Sequence, residues 1–202
     1  MTLDTLSPDF WQQRYEDGTT RWDLGQPSPP LVSWWQQSSW RPQRAIVLGC
    51  GRGHDARFLA EQGVEVLGVD FAPGAIAAAQ AQYQDSGLEL EFVQQDMFQL
   101  LPDYAQQFDL VVEHTCYCAI DPSRRDDYVA LAAQLLRPQG RLVAVFFTHN
   151  RGGGPPYTTT PAEIRQRFSP GFQLLQLTPV ANSVPSRAGE EHLGEFEVLP
   201  RG

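Results

Sequence analysis

The stretch Arg44-Ala-Ile-Val-Leu-Gly-Cys-Gly-Arg-Gly-His-Asp55 constrains the fold more than any other part of the chain. An apolar run, Ala45 to Leu48, opens directly into glycines at alternate positions, Gly49, Gly51 and Gly53. Asp55-Ala-Arg-Phe-Leu-Ala-Glu-Gln62 then reads as a helix. A buried strand, a tight turn and a helix start in so few residues form the opening unit of a doubly wound, mostly parallel α/β sheet. Glycine removes Cβ where a ligand must approach the backbone, and the helix start leaves free N–H groups facing it. A second strand, Val64-Glu-Val-Leu-Gly-Val69, ends in Asp70. A carboxylate at that point is placed to accept the hydroxyls of a ribose.

The glycine spacing separates two nucleoside cofactors. A dinucleotide fingerprint, G-x-G-x-x-G, would put its third glycine at position 54. Here position 54 is His and the third glycine is Gly53. The resulting G-x-G-x-G resembles the first motif of class I S-adenosylmethionine (SAM) methyltransferases, and so favours SAM over NAD.

Further elements follow in βα alternation. Pro73 to Gln84 is Ala-rich and reads as a helix, with Pro73 in its first turn. Leu88-Glu-Leu-Glu-Phe-Val93 alternates as a third strand and leads to Asp96. From the sheet edge Asp96 can accept an adenine amino group, with Met97 or Phe98 covering the ring. Phe108-Asp-Leu-Val-Val-Glu-His114 is a fourth strand beside the switch point where such sheets bind ligands. Its continuation, Glu113 to Ile120, therefore borders the reacting centre. Asp121-Pro122 caps a helix expected to run to about Arg137, stopped by Pro138-Gln-Gly140. Arg141 to Phe147 is a fifth strand, Pro161 to Phe168 a short helix, and Phe172 to Leu177 and Glu195 to Leu199 the last strands.

Residues 1–43 hold all five tryptophans and are broken by Pro27, Pro29 and Pro30. Two short helices are expected there, around Phe10 to Tyr15 with Ser7 or Asp9 as cap, and around Leu31 to Trp35. Trp34, Trp35 and Trp40 read as packing. Trp11, Tyr15 and Trp22 flank a loop with no apolar face, and read as an aromatic flap offering π surfaces to a cation. The 202 residues form one expected domain, an arm over 1–43 and a core over 44–202. No apolar run is long enough to span a membrane, and Met1 to Pro8 lacks the basic start and apolar block of a signal peptide. A cytoplasmic monomer is expected. Cys50, Cys116 and Cys118 show no zinc spacing, so no metal is expected and the last two read as small buried residues. A net charge of −9 repels phosphate backbones and disfavours nucleic acid. The same charge opposes an anionic substrate unless local donors offset it.

Trp11-Gln-Gln-Arg-Tyr-Glu-Asp-Gly-Thr-Thr-Arg-Trp-Asp-Leu-Gly25 resembles the N-terminal signature of the thiopurine methyltransferase superfamily, and most of all its halide/thiol methyltransferase branch. The likeness continues through Leu48 to Asp55, Gly68-Val-Asp70, Asp96, Phe108-Asp-Leu110, Cys118-Ala-Ile120, Leu136 to Gly140, Gly153-Gly-Pro-Pro-Tyr157 and Pro185-Ser-Arg187. It implies the seven-stranded Rossmann-like sheet of a class I enzyme with SAM as cofactor. It also implies that Trp11, Tyr15 and Trp22 line the SAM pocket from the lid, that Gly49 and Asp70 hold methionine and ribose, and that Asp96 and Met97 hold adenine. Gly51, Phe71, Glu113 and His114 complete the cofactor-binding set. Tyr15 stands where that branch carries Trp, and Glu113-His-Thr-Cys-Tyr117 replaces an acidic-aromatic run, which leaves the preferred nucleophile open.

The expected reaction is in-line transfer of the SAM methyl to a halide, thiocyanate, bisulfide or thiol. The alternatives are a bulkier aromatic thiol, a tellurium or selenium oxyanion, or a SAM-binding module without catalysis. A soft anion needs no general base, only a dry pocket and donors. Tyr157, the N–H groups of Gly152 to Gly154, Arg151 and Arg187 are the candidates. His114 reads either as a base for a thiol proton or as a packing residue. Glu113 reads as a hydrogen-bond partner of SAM or of the lid.

Overall fold

The computed structural model describes residues 7–201; the reading of residues 1–6 as lacking a signal peptide lies outside them. Two helices precede the sheet, α1 (Pro8–Glu16) and α2 (Pro29–Gln37). The chain then alternates through β1 (Arg44–Leu48), α3 (His54–Glu61), β2 (Glu65–Asp70), α4 (Pro73–Tyr83), β3 (Leu90–Gln94) and β4 (Phe108–His114). It ends with α5 (Arg125–Leu135), β5 (Leu136–Phe147), α6 (Pro161–Phe168), β6 (Phe172–Pro179) and β7 (Glu191–Val198). The seven strands form one sheet in the order β3-β2-β1-β4-β5-β7-β6. The first five positions are parallel, and β7 runs antiparallel to both of its neighbours. From β1 the chain steps outward to β2 and β3, then returns to lay β4 on the other side. That reversal opens the ligand crevice beyond the carboxyl ends of β1 and β4.

Helix starts follow local chemistry. Ser7 accepts the Phe10 N–H at 3.3 Å to cap α1, and Thr160 accepts the Glu163 N–H at 3.2 Å to cap α6. The strands are apolar on both faces because helices cover both. One layer joins Ile46, Leu48, Val111 and Phe146 to α5 and α6 through Tyr128, Leu131 and Phe168. The other joins Ala45, Val47, Val112 and Val145 to α2, α3 and α4 through Trp34, Trp35, Leu59 and Ile76. Trp34 and Trp35 are core residues of the second layer, and Trp40 packs against them. Cys116 and Cys118 are buried. No helix among the described residues is long and apolar enough to cross a membrane.

Several boundaries differ from the sequence reading, among them the start of β7, at Glu191 rather than Glu195; the largest difference lies between the fifth helix and β5. The fifth helix stops at Leu135 rather than near Arg137, and β5 begins at Leu136, opposite Phe108. Residues 137–140 then bulge out of the ladder, which resumes at Leu110–Arg141. Gln139 takes φ +65°, and a Cβ on Gly140 would lie 2.9 Å from the Arg137 carbonyl. Pro138 and Gly140 thus shape a β-bulge, where a missing donor and a missing Cβ are both tolerated.

Candidate active site

The crevice holds a cavity of about 420 Å³, walled by the glycine turn, the ends of β2 and β4, and the N-terminal arm. Gly49 has φ +63°, and a Cβ there would sit 2.6 Å from the Cys116 sulfur. Gly53 has φ +82°, and its Cβ would meet the Phe92 ring at 2.5 Å. The turn is therefore specified by glycine twice over, by conformation and by space. Asp70 braces it: Oδ2 accepts the Gly51 N–H at 3.0 Å and Oδ1 the Ala72 N–H at 2.9 Å. Burial pushes this carboxyl above its ordinary pKa against those backbone bonds. Part of the residue surface still opens onto the cavity. A carboxylate has about four lone-pair sites, so Asp70 keeps accepting capacity for a ligand's hydroxyls. Asp96 caps the single turn Met97–Gln99 through the Phe98 N–H at 3.0 Å, which brings Met97 and Phe98 onto the wall.

The arm closes the cavity from above. Gln12 of α1 accepts the Gly74 N–H of α4 at 2.7 Å. Trp11 and Trp22 meet edge to face at 5.3 Å, and Tyr15 and Trp22 at 5.8 Å. Burial, reinforced by the Asp70 charge, pushes the Tyr15 phenol well up, so it stays a neutral donor. Asp23, in the loop, pairs with Arg52 at 3.0 Å and His54 at 3.2 Å. Its carboxyl is held below the ordinary range by the His54 bond, against burial. Arg14, Arg21 and Arg124 also line the cavity. They concentrate positive charge at its walls in a chain whose net charge is −9, so an anion meets a local field opposite to that of the whole surface.

A chain of polar side chains runs beneath. His114, at the end of β4, places Nδ1 3.0 Å from Asp55 Oδ2, and Arg187 places Nη1 2.7 Å from His114 Nε2. The same Nη1 donates to Glu191 at 3.2 Å, while Nη2 donates to the Trp22 carbonyl at 2.6 Å. Burial and the adjacent Arg187 guanidinium oppose a charge on the imidazole, while the Asp55 and Glu191 carboxylates favour it. The closer approach to Nε2, Arg187 at 2.7 Å against Glu191 at 3.7 Å, decides for the neutral ring. A guanidinium has no acceptor and keeps its protons, so its approach to Nε2 needs a lone pair there. The tautomer assigned from these partners donates Nδ1–H to Asp55 and accepts from Arg187 at Nε2. Cys116 and Cys118 complete the wall, and burial pushes both thiols up, Cys118 to about 12. Protonated thiols are poor nucleophiles, so the wall does not compete for an electrophile held against it.

The model of a single protein family, described as thiopurine S-methyltransferase, matches residues 6–197. The chain belongs to the thiopurine S-methyltransferase family. Thiocyanate methyltransferase 1 of Brassica oleracea is 31% identical over 200 residues, covering 97% of this chain and 88% of that protein. Probable thiol methyltransferase 2 of Arabidopsis thaliana is 31% identical over 191 residues, covering 93% and 84%. Among solved structures, the 1,6-didemethyltoxoflavin-N1-methyltransferase of Burkholderia thailandensis, bound to S-adenosylhomocysteine, shares the fold. Its TM-score is 0.79 at 22% identity, covering 96% of this chain and 88% of that one.

In this family member, Trp11, Tyr15, Trp22, Gly49, Gly51, Asp70, Phe71, Asp96, Met97, His114 and Arg187 all line the one cavity. Two expected site residues do not. Glu113 is fully buried below the floor, with Oε2 accepting the Cys116 and Tyr117 N–H groups at 2.9 and 2.8 Å. It shapes the turn after β4, and its carboxyl does not reach the cavity wall. Tyr157 is absent from the wall: its ring lies over Gly154, where a Cβ would meet it at 2.3 Å, and Pro155 and Pro156 face the cavity instead. Gly152 to Gly154 and Arg151 are likewise off the wall, and Arg151 pairs with Glu190. Arg187, whose direction the sequence left open, turns inward, and its terminal nitrogens are engaged by His114, Glu191 and Trp22. Asp55, Glu191 and the three wall arginines escaped the sequence reading. The first-turn position of Asp55 was the only local signal, and it reads equally well as a charge favourable to a helix N-terminus.

Proposed function

We propose that this chain is a SAM-dependent methyltransferase acting on small soft nucleophiles, namely thiocyanate, bisulfide, halide or simple thiols. The observation that carries the reading is a cationic, aromatic cavity without a free general base. His114 is engaged at both nitrogens, Asp70 and Asp96 accept backbone N–H groups, and the wall thiols are held protonated. A nucleophile entering here must already carry its lone pair unprotonated, as thiocyanate, iodide and bisulfide do at neutral pH.

The residues fit the cofactor. The glycine turn gives close backbone approach, Asp70 has accepting capacity for the ribose, Asp96 and Met97 stand at the adenine position, and the Trp11–Tyr15–Trp22 faces suit a cation. When bound, SAM supplies a methyl on a sulfonium; the bond to the nucleophile forms as the S–CH3 bond breaks, and its electron pair leaves on sulfur as a neutral thioether. This chain's part is to align the acceptor and exclude water. A cavity of about 420 Å³ lies near the lower end of the roughly 300–1,000 Å³ of ordinary ligand sites. Once the cofactor takes its share, little is left for the acceptor. The three free cysteines suit a reducing, cytosolic compartment.

The test is incubation with SAM and, separately, iodide, thiocyanate, bisulfide and thiophenol, reading S-adenosylhomocysteine and volatile methylated product. Turnover of the small anions is expected. Turnover of thiophenol alone would overturn the small-anion reading in favour of a bulky aromatic thiol.

A further inference from the structure

The segment from Trp22 to Ser28 connects the aromatic arm to α2, and each of its ends is held by the buried polar chain. At one end the Trp22 carbonyl accepts from Arg187 Nη2 at 2.6 Å. At the other, the Ser28 N–H donates to Asp55 Oδ1 at 2.7 Å. Between these anchors the core side is continuous: Asp55 Oδ2 to His114 Nδ1, His114 Nε2 to Arg187 Nη1, and Arg187 Nη1 to Glu191 Oε1. Asp55, Arg187 and Glu191 are 9%, 6% and 2% exposed. Buried charges of this kind hold one geometry, since losing a partner strands another.

We propose that Asp55 and Glu191 are positioning residues that latch the arm shut over the cofactor cavity, acting through His114 and Arg187. Asp55 takes one end of the segment directly and fixes the imidazole tautomer. That tautomer presents a lone pair to Arg187. Glu191 supplies the counter-charge that keeps the guanidinium in place, and the guanidinium takes the other end. His114 is the spacer between the two anchors, which gives it a role distinct from proton abstraction. The effect on SAM rests on the cofactor reading above; the latch itself does not.

Two variants break the latch from opposite sides. Asp55→Asn leaves one accepting oxygen for two donors, so its amide must face either the Ser28 N–H or the Nδ1–H of His114, whose other tautomer would set an N–H against Arg187. Ser28→Pro removes the backbone donor of the arm, at a position whose φ of −58° already suits proline, and places the ring where the Ser28 side chain is buried, so circular dichroism and the thermal midpoint must first match wild type. Both are assayed without ligand by trypsin cleavage after Arg21, which is exposed beside the latched carbonyl, with circular dichroism as the check on folding. SAM affinity and the split between kcat and KM for SAM are measured separately. Each variant is expected to speed cleavage after Arg21 and to raise the SAM Kd and KM by about tenfold or more, with kcat at saturating SAM changed far less. Asp55→Glu is expected to recover part of the loss. A folded Asp55→Asn or Ser28→Pro protein with unchanged cleavage would overturn the latch; should Asp55→Asn not fold, Ser28→Pro alone decides. Faster cleavage in protein that binds no SAM even as wild type would sustain the latch and overturn the cofactor reading.

Discussion

Glu113→Gln isolates the one buried carboxyl that the structure removes from the cavity. Burial raises the Glu113 carboxyl from 4.5 to about 7, against the backbone bonds from Tyr117 and Cys116 and the attraction of Arg125. Each tenfold change in proton affinity is about 1.4 kcal/mol, so ionising this group costs the folded state roughly 3 kcal/mol. Because the folded pKa is the higher one, the stabilisation is complete below about pH 4.5 and is lost as pH rises through about 7. Between about pH 5 and pH 8 the loss from this group is about 2–3 kcal/mol. Glutamine keeps an oxygen for the Cys116 and Tyr117 N–H groups and puts its amide where Oε1 now has no partner. Any penalty for that amide is independent of pH, so the slope carries the information. Urea unfolding followed by tryptophan fluorescence, at intervals from about pH 5 to pH 8, gives the wild-type and variant free energies. The wild type should lose about 2–3 kcal/mol relative to the variant over that range. Parallel curves would refute the argument and show that Glu113 is ionised in the folded chain throughout.

Asp70→Ala should raise the SAM Kd at least about tenfold, since charge-assisted bonds to a ligand and the brace on Gly51 are lost together; calorimetric titration showing an unchanged Kd would remove Asp70 from the ribose role. Gly53→Ala combines φ +82° with a 2.5 Å clash against Phe92, and should lower stability by about 1–3 kcal/mol, a shift read from the thermal midpoint; an unchanged midpoint would mean that the turn can relax.

The sheet was legible because its signals are local. Apolar runs bounded by glycine and acidic residues mark β1, β2 and β4, and the alternate glycines mark the ligand turn. Glu113 and His114 show where local reading stops. Neighbours on a strand point to opposite faces, so only one of them can look into the cavity from its floor. Their adjacency reveals that rule but not which residue obeys it, and burial beneath the Cys116–Tyr117 turn decides for His114. Asp55 matters only through a histidine and an arginine remote in the chain, and no spacing rule links positions 55, 114 and 187. Glu191 stands four residues after Arg187, a spacing that signals a pair within a helix, but it belongs to a strand. Pro138 and Gly140 misled for the converse reason: the same two residues stop a helix and build a bulge, and the difference lies in the partner strand.

The antiparallel strand β7 enters the sheet between β5 and β6, and Arg187 and Glu191 arrive just before it and at its start. The contact from Arg187 to Trp22 therefore spans 165 positions, close to the longest loop this chain can close. Loop-closure cost grows only with the logarithm of loop length, so what this span sets is chiefly the order of events rather than a large energy. On the ribosome, the glycine turn and its flanking strands can form early, while the arm that emerged first waits for residues synthesised long afterwards. A nascent chain that has reached only residue 186 would hold the arm through Gln12 and Ser28 but lack the Arg187 anchor. The second fastening of the cover thus comes late, an order written into the succession of the strands.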